Sequence, residues 1–462
     1  MRLIAVIILF QFSTISAQEI QKNIFGFATS NTFTYCNVSD TSFTNKVKEI
    51  NPQILRFPGG AVGNFYHYGK NGYGFDFKEI TKHDGGRFVE RSKALVRANI
   101  KKGHTHDYID DFIQLVKLTD SKVVLVANMF VRNDDIIKMI SKIQSQDIEI
   151  IGVELGSELS NRTFYQKGYK IENYISDAKN CSNKIKENFP NLRTAIIAAP
   201  LHSNPTHRHS VWNKKLSKMD FYDDIIIHSY AKVVKGIKEF GQMLTVEEEG
   251  ETPSEAFDIY KNRALEFLTT DFSDEIKEYN KIFNKPIWIT EWNLQISRTT
   301  GNTMLQSLFV AQYFLEIMSN VDLKNVTLTT YHNLGGRDYG GSIFRNNQEV
   351  VEMQSTYYPI TFLGKIFEND IVRIEKKVKD EIFIYKCFDK SETHLLTIII
   401  NWSPEKYNEI INQNRLVKQF FSKQLFDKAG VNGKLSASNS KSKNKILSLQ
   451  PFSISLIKHL DE

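Results

Sequence analysis

Cysteine is scarce in this chain: Cys36, Cys181 and Cys387 are the only three among 462 residues. Thiols so few and so scattered cannot build a disulfide framework or a structural zinc site, so at most one bridge is expected and stability must come from a hydrophobic core. Long apolar runs are absent after the first 17 residues, which leaves no later stretch able to cross a bilayer. There is no internal repeat of short period. A P-loop is missing too: Gly59-Gly60 follows a strand-like run, but GGAVGN lacks the Lys-Ser/Thr that would hold a phosphate. The excess of positive charge is only +6, so net charge by itself names no partner.

What is present is an ordinary globular composition, 41% hydrophobic and 24% charged, with enough chain for one large domain and a smaller one. The opening MRLIAVIILFQFSTISAQ has one arginine, an apolar core and small residues before Gln18. It is expected to be a signal peptide over 1–17, which implies a periplasmic or secreted protein. No cysteine follows that core, so a lipid anchor is not expected, and export disfavours nucleic acid as a partner. No membrane association, protein partner, cofactor or metal is expected.

Short β-branched runs recur along the chain: IFGFA (24–28), QILRF (53–57), KVVLVANMF (122–130), IIGVEL (150–155), TAIIAA (194–199), DIIIHSY (224–230), PIWITEW (286–292) and VTLTTYH (326–332). Amphipathic helical stretches separate them, as in YIDDFIQLVKLTD and MLQSLFVAQYFLEIMSNV. Eight strands alternating with helices predict an α/β fold, a (β/α)8 TIM barrel over 18–368. After residue 368 alternating strands and turns predict a C-terminal β-sandwich domain over 369–462, with SASNSKSKN (436–444) as a surface loop. Two connections, 58–107 and 231–275, are long enough to shape a site.

Catalytic groups of such a barrel stand at the C-terminal strand ends. Those ends carry Arg56, Asn128, Glu158, His228 with Tyr230, Glu291, and Tyr331 with His332. Glu158 after the fourth strand and Glu291 after the seventh are expected to face one another across the mouth. Glycoside hydrolysis needs that arrangement, one carboxyl to protonate the leaving oxygen and one to attack the anomeric carbon or direct water to it.

LRFPGG (55–60), GVELGSE (152–158), HSY (228–230) and PIWITEWN (286–293) together resemble strand signatures of clan A retaining glycoside hydrolases, among them the α-L-arabinofuranosidase, β-xylosidase and heparanase-like families. The resemblance implies Glu158 as general acid/base, Glu291 as nucleophile and retention of configuration. Glu158 has to start protonated, which a poorly solvated pocket favours, while Arg56 and Tyr230 are placed to keep Glu291 ionised. His228 is expected to support the acid/base or to touch substrate. Asn128, Ser157, Trp292 and Tyr331 complete the expected substrate contacts, Trp292 being also a candidate for the core.

One departure stands out. The clan has Asn before the acid/base, reaching the sugar 2-hydroxyl, where this chain has Ser157. Either Ser157 leaves room for a larger or differently oriented 2-substituent, or catalysis has been lost and the chain is a non-catalytic carbohydrate-binding protein. An endo-acting, heparanase-like hydrolase is a further alternative. Lys70, Arg132, Arg162, HSNPTHRHS (202–210), Lys232, Arg298 and Arg337 fall in loops expected to rim the mouth. They suggest a substrate bearing uronate or sulfate, since arginine pairs in a bidentate way with such groups. The histidines of 202–210 match no zinc spacing. Phe65, Tyr66, Tyr68, Tyr73 and Trp212, with Trp292, are candidates for stacking on sugar faces.

Overall fold

A computed structural model describes residues 18–460 except 21, 85–86, 132–133, 238–243, 296, 338–339, 348–349, 411–414, 430–434 and 443–445. The expected signal peptide therefore lies outside the described residues, as does Arg132. Eight parallel strands close a barrel: β1 Gly26–Ala28, β2 Ile54–Phe57, β3 Lys122–Val126, β4 Ile150–Glu154, β5 Arg193–Ile197, β6 Asp224–Ala231, β7 Ile287–Leu294 and β8 Val326–Tyr331. Each falls within or beside one of the eight apolar runs.

The barrel is filled from below. Ile54, Val124, Ala195, Ile226, Trp288 and Leu328 form a buried layer inside it. Trp288 reaches across to β4, where a Cβ on Gly152 would lie 2.5 Å from its ring, so only glycine fits opposite it. One pleat higher the inward positions change character. Strand alternation brings Arg56 of β2 and Glu154 of β4, each two residues beyond an inward position of the apolar layer, into the same interior. A salt-bridged polar layer thus sits on an apolar one.

The C-terminal region forms a seven-stranded sheet of Arg373–Lys379, Ile382–Phe388, His394–Asn401, Arg415–Phe421, Ser436–Ser442 and Ser453–His459, with Gln18–Glu19 at one edge. Tyr407–Ile410 and Ile446–Leu449 pair across from it, and Ile382, Ile384, Ile399, Val417, Leu447, Leu449 and Ile457 fill the space between. Ser436–Ser442 had been expected as loop; backbone pairing with Arg415–Phe421 makes it an edge strand, whose polar side chains suit its exposed position. Helix Met304–Ser319 is buried on every side, between barrel and sheet. Its Glu316 accepts from Tyr385 Oη at 2.8 Å and its Gln312 from Trp402 Nε1 at 2.6 Å, tying the two regions together. Cys36, Cys181 and Cys387 are all free and buried.

Candidate active site

Glu291 owes its position to an irregularity in β7. Ile289 and Glu291 pair with the successive residues Ile227 and His228 of β6, so β7 carries one extra residue, and the same offset appears against β8. A bulge of this kind re-aims a side chain. Thr290 then points at Glu154 and His228, both at 3.3 Å, and Glu291 turns to the mouth. There Arg56 Nη1 donates to Glu291 Oε1 at 3.0 Å and Tyr230 Oη to Oε2 at 3.1 Å. Arg56 is fixed from behind by a bidentate pair to Glu154, 2.6 and 2.7 Å. Burial and the Glu291 carboxylate push the Tyr230 phenol well above its usual range, so it stays a donor. For Glu291 burial works to raise the pKa, but His228, His332 and Arg56 outweigh it and hold the carboxyl well below the usual carboxylate range.

The Gly59-Gly60 pair now has a reason. Gly60 adopts φ +57°, and a Cβ there would come within 3.2 Å of both Glu291 Oε1 and Ser30 Oγ. Glycine keeps the floor of the site open.

Glu158 belongs to a turn rather than a strand. Gly156 has φ +86° and Glu158 itself φ +51°, a left-handed backbone that a glutamate adopts only where its surroundings enforce it. Asn64 supplies the enforcement: its Oδ1 accepts from Ser157 N–H at 2.8 Å and its Nδ2 donates to Ser157 O at 2.7 Å. The Glu158 carboxylate meets His228 Nδ1 at 3.0 Å and Asn161 Nδ2 at 2.9 Å. His228 Nδ1 is also 3.6 Å from Glu291 Oε2. Burial disfavours the imidazolium, yet Glu291 and Glu158 together outweigh it and raise the pKa of His228. One carboxylate oxygen of Glu158, one of Glu291 and one His228 nitrogen lie within 4.8 Å of one another.

These groups open into a cavity of about 550 Å³ lined also by Ser30, Asn64, Asp84, Phe88, Arg91, Arg162, Arg208 and His332. Three arginines against Asp84 and the two glutamates leave a cleft of mixed charge whose cations stand at its walls. Ser30 Oγ, Ser157 Oγ and His332 Nδ1 are buried there without a hydrogen-bond partner, which leaves three polar atoms able to meet the hydroxyls of a bound sugar.

The structure brings Glu158, Glu291, Ser157, His228 and Tyr230 together, and Arg56 behind them. Other expected residues lie elsewhere. Arg56 is fully buried between two carboxylates, where it reaches Glu291. Asn128 spends its amide on Tyr66 O, Glu79 and Phe130 N, fixing a loop. Trp292 is core, stacked on Tyr313 with centroids 3.9 Å apart, and Tyr331 is buried with its hydroxyl accepting from Asn293. Phe65, Tyr66, Tyr73 and Trp212 are buried and Tyr68 partly so, and none of the five lines the cleft; its aromatic residues are Phe88 and Phe164. Nor do Lys70, Lys232, Arg298 and Arg337 line it. With 45% of its side chain exposed, Glu158 stands at an open mouth, not in the poorly solvated pocket expected for it.

Glu154, Asn64, Ser30 and Arg91 were not anticipated. Glu154 had a signal, an acidic residue at an inward position inside an apolar strand, matched by Arg56 in the interior of β2. Asn64 and Arg91 come from the 58–107 connection: Asn64 follows the Gly59-Gly60 turn, where no periodicity marks which side chain turns inward, and Arg91 lies on helix Arg87–Lys101, whose periodicity does not say that it faces the mouth.

The family described as glycosyl hydrolase catalytic core matches residues 252–357. No curated protein matches the sequence. Among solved structures, an α-L-arabinofuranosidase from Thermotoga maritima is similar at TM-score 0.64 and 12% identity, covering 95% of this chain and 97% of its own. A family 51 arabinofuranosidase from Xanthomonas axonopodis pv. citri gives 0.65 at 10% identity, covering 96% and 97%. A 4-O-α-L-rhamnosyl-β-D-glucuronidase from Fusarium oxysporum 12S gives 0.61 at 12%, covering 96% and 98%. At such identities the likeness is one of fold, and it takes in barrel and sandwich alike.

Proposed function

We propose that this chain, a glycoside hydrolase built on a clan A barrel, cleaves an anionic poly- or oligosaccharide with retention of configuration. One observation carries the reading: carboxylate oxygens of Glu158 and Glu291 approach within 4.8 Å, with His228 Nδ1 3.0 Å from the first and 3.6 Å from the second. Retaining enzymes hold their two carboxyl groups about 5–5.5 Å apart, whereas an inverting pair needs room for a water.

In the first step Glu291 attacks the anomeric carbon as the bond to the leaving oxygen breaks, and Glu158 gives that oxygen a proton. The proton is held by the hydrogen-bonded His228–Glu158 pair until substrate arrives. In the second step Glu158 takes a proton from water, the water oxygen attacks the same carbon, and Glu291 is released. Arg56 and Tyr230 keep Glu291 charged before attack and receive it again afterwards.

An anionic substrate is supported by Arg91, Arg162 and Arg208 on the cleft walls. The similar fold of a glucuronidase adds support for a uronate. The hydrophobic leader supports action outside the cytoplasm. The test is product release from neutral, uronate-containing and sulfated oligosaccharides, wild type beside Glu291→Ala. Release from a uronate- or sulfate-bearing member by wild type alone is expected, with turnover in the variant lower by at least about 10⁴-fold. Release from neutral members only would overturn the anionic assignment, and undiminished release by the variant would remove Glu291 as nucleophile.

A further inference from the structure

A second constellation of metal-binding groups lies in GHTHDYIDD (103–111), where the 58–107 connection runs into the next helix. Each of His104, His106 and Asp111 presents a ligand atom within 4.8 Å of the other two. His106 Nε2 stands 3.0 Å from Asp111 Oδ1, yet it is a buried nitrogen without a hydrogen-bond partner. Two polar atoms at contact distance that do not aim at each other resemble neighbouring corners of a coordination polyhedron. In a tetrahedron with bonds near 2.0 Å such corners lie roughly 3.3 Å apart. His104 Nδ1 is likewise buried without a partner.

The backbone presenting these groups is held on both sides. Gly72 N–H donates to His106 O at 2.8 Å, Tyr108 N–H donates to Gly72 O at 3.1 Å, and Asp107 caps helix Tyr108–Thr119, which carries Asp111. We propose that His104, His106 and Asp111 bind one zinc ion, with water completing the coordination. Two imidazoles and a carboxylate suit zinc better than calcium or magnesium, which prefer oxygen alone. The other group with this geometry, Glu158, His228 and Glu291, is already engaged: Arg56 and Tyr230 hold Glu291 and His228 holds Glu158. At 104–111 His104 Nδ1 has no hydrogen-bond partner, and His106 Nε2 meets Asp111, itself one of the three proposed ligands. A bound ion would fasten the end of the connection that supplies Asn64 and Arg91 to the cleft.

The test uses the full chain, stripped with chelator, loaded with zinc and desalted. Metal content and thermal midpoint are compared for wild type, the double variant His104→Ala/His106→Ala, and Asp111→Asn as a gentler change. The expected result is one zinc retained per chain with a raised midpoint in wild type, and an affinity at least about tenfold weaker in Asp111→Asn. Absence of retained zinc in wild type would overturn the proposal. So would equal retention by all three proteins, and if zinc then also blocks turnover the ion sits at the glutamate pair.

Discussion

The two walls of the cleft are built by different means. The Glu291 wall is strand: a bulge aims the carboxylate, and Arg56, braced by Glu154, and Tyr230 hold its charge from inside the barrel with 8% of its side chain exposed. The Glu158 wall is turn: a left-handed backbone aims the carboxylate, Asn64 pins the turn and His228 of β6 meets the carboxylate, with nearly half of it in solvent. A nucleophile must stay ionised whatever binds, which a buried, pre-aimed guanidinium secures. An acid/base must exchange protons with water in each cycle, which exposure allows. The barrel interior fixes the charge of Glu291, and the turn fixes the geometry of Glu158.

That contrast can be broken most severely at Arg56. Arg56→Met leaves Glu154 buried without its partner, and the unfolding free energy should fall by about 3–5 kcal/mol in a denaturant titration, with turnover lost. A stable, active variant would mean that the buried layer does not hold Glu291. Glu158→Gln should leave stability near wild type and slow poor leaving groups by about 10²–10⁴-fold, while activated aryl glycosides suffer far less in the first step. Equal loss on both would remove the acid role.

Asn64→Ala tests the turn. With both hydrogen bonds to the Ser157 peptide gone, the left-handed Glu158 can drift, and about 10²-fold of kcat should disappear with KM little changed. A rise in KM alone would mark Asn64 as a substrate contact. The smallest effect is one of pH. The pKa of His228 is raised, so its protonated form persists above the ordinary histidine value and is lost as pH rises through the raised one. The alkaline limb of kcat/KM should therefore lie above about pH 6.5. The Glu291 carboxyl is depressed, so the free enzyme should show no acid limb from it in the ordinary carboxylate range. An alkaline limb below the ordinary histidine value would contradict the His228–Glu158 pairing.

The same division explains what could be read from the residues alone. All eight barrel strands were visible as β-branched runs, because burial on both faces demands such residues. Glu158, Glu291, His228 and Tyr230 were visible because strand ends of a barrel converge. Trp292 looks the same in sequence as Tyr230 does; that Glu291 takes the mouth and Trp292 the core depends on the extra residue in β7, and a bulge has no compositional mark. Asn64, Ser30 and Arg91 depend on how the chain between β1, β2 and β3 folds over the mouth. Ser436–Ser442 has the composition of a loop and becomes a strand only because Arg415–Phe421 offers it an open edge.

The central claim is that Glu158 and Glu291 act as a closely spaced retaining pair. The most direct measurement is the anomeric configuration of the first-formed product, followed by proton NMR from the start of hydrolysis of whichever oligosaccharide the panel identifies. The account predicts that the new reducing end appears with the configuration of the cleaved bond and mutarotates afterwards. Inverted product at the earliest times would contradict it, since a water would then have to fit between carboxylates that approach within 4.8 Å.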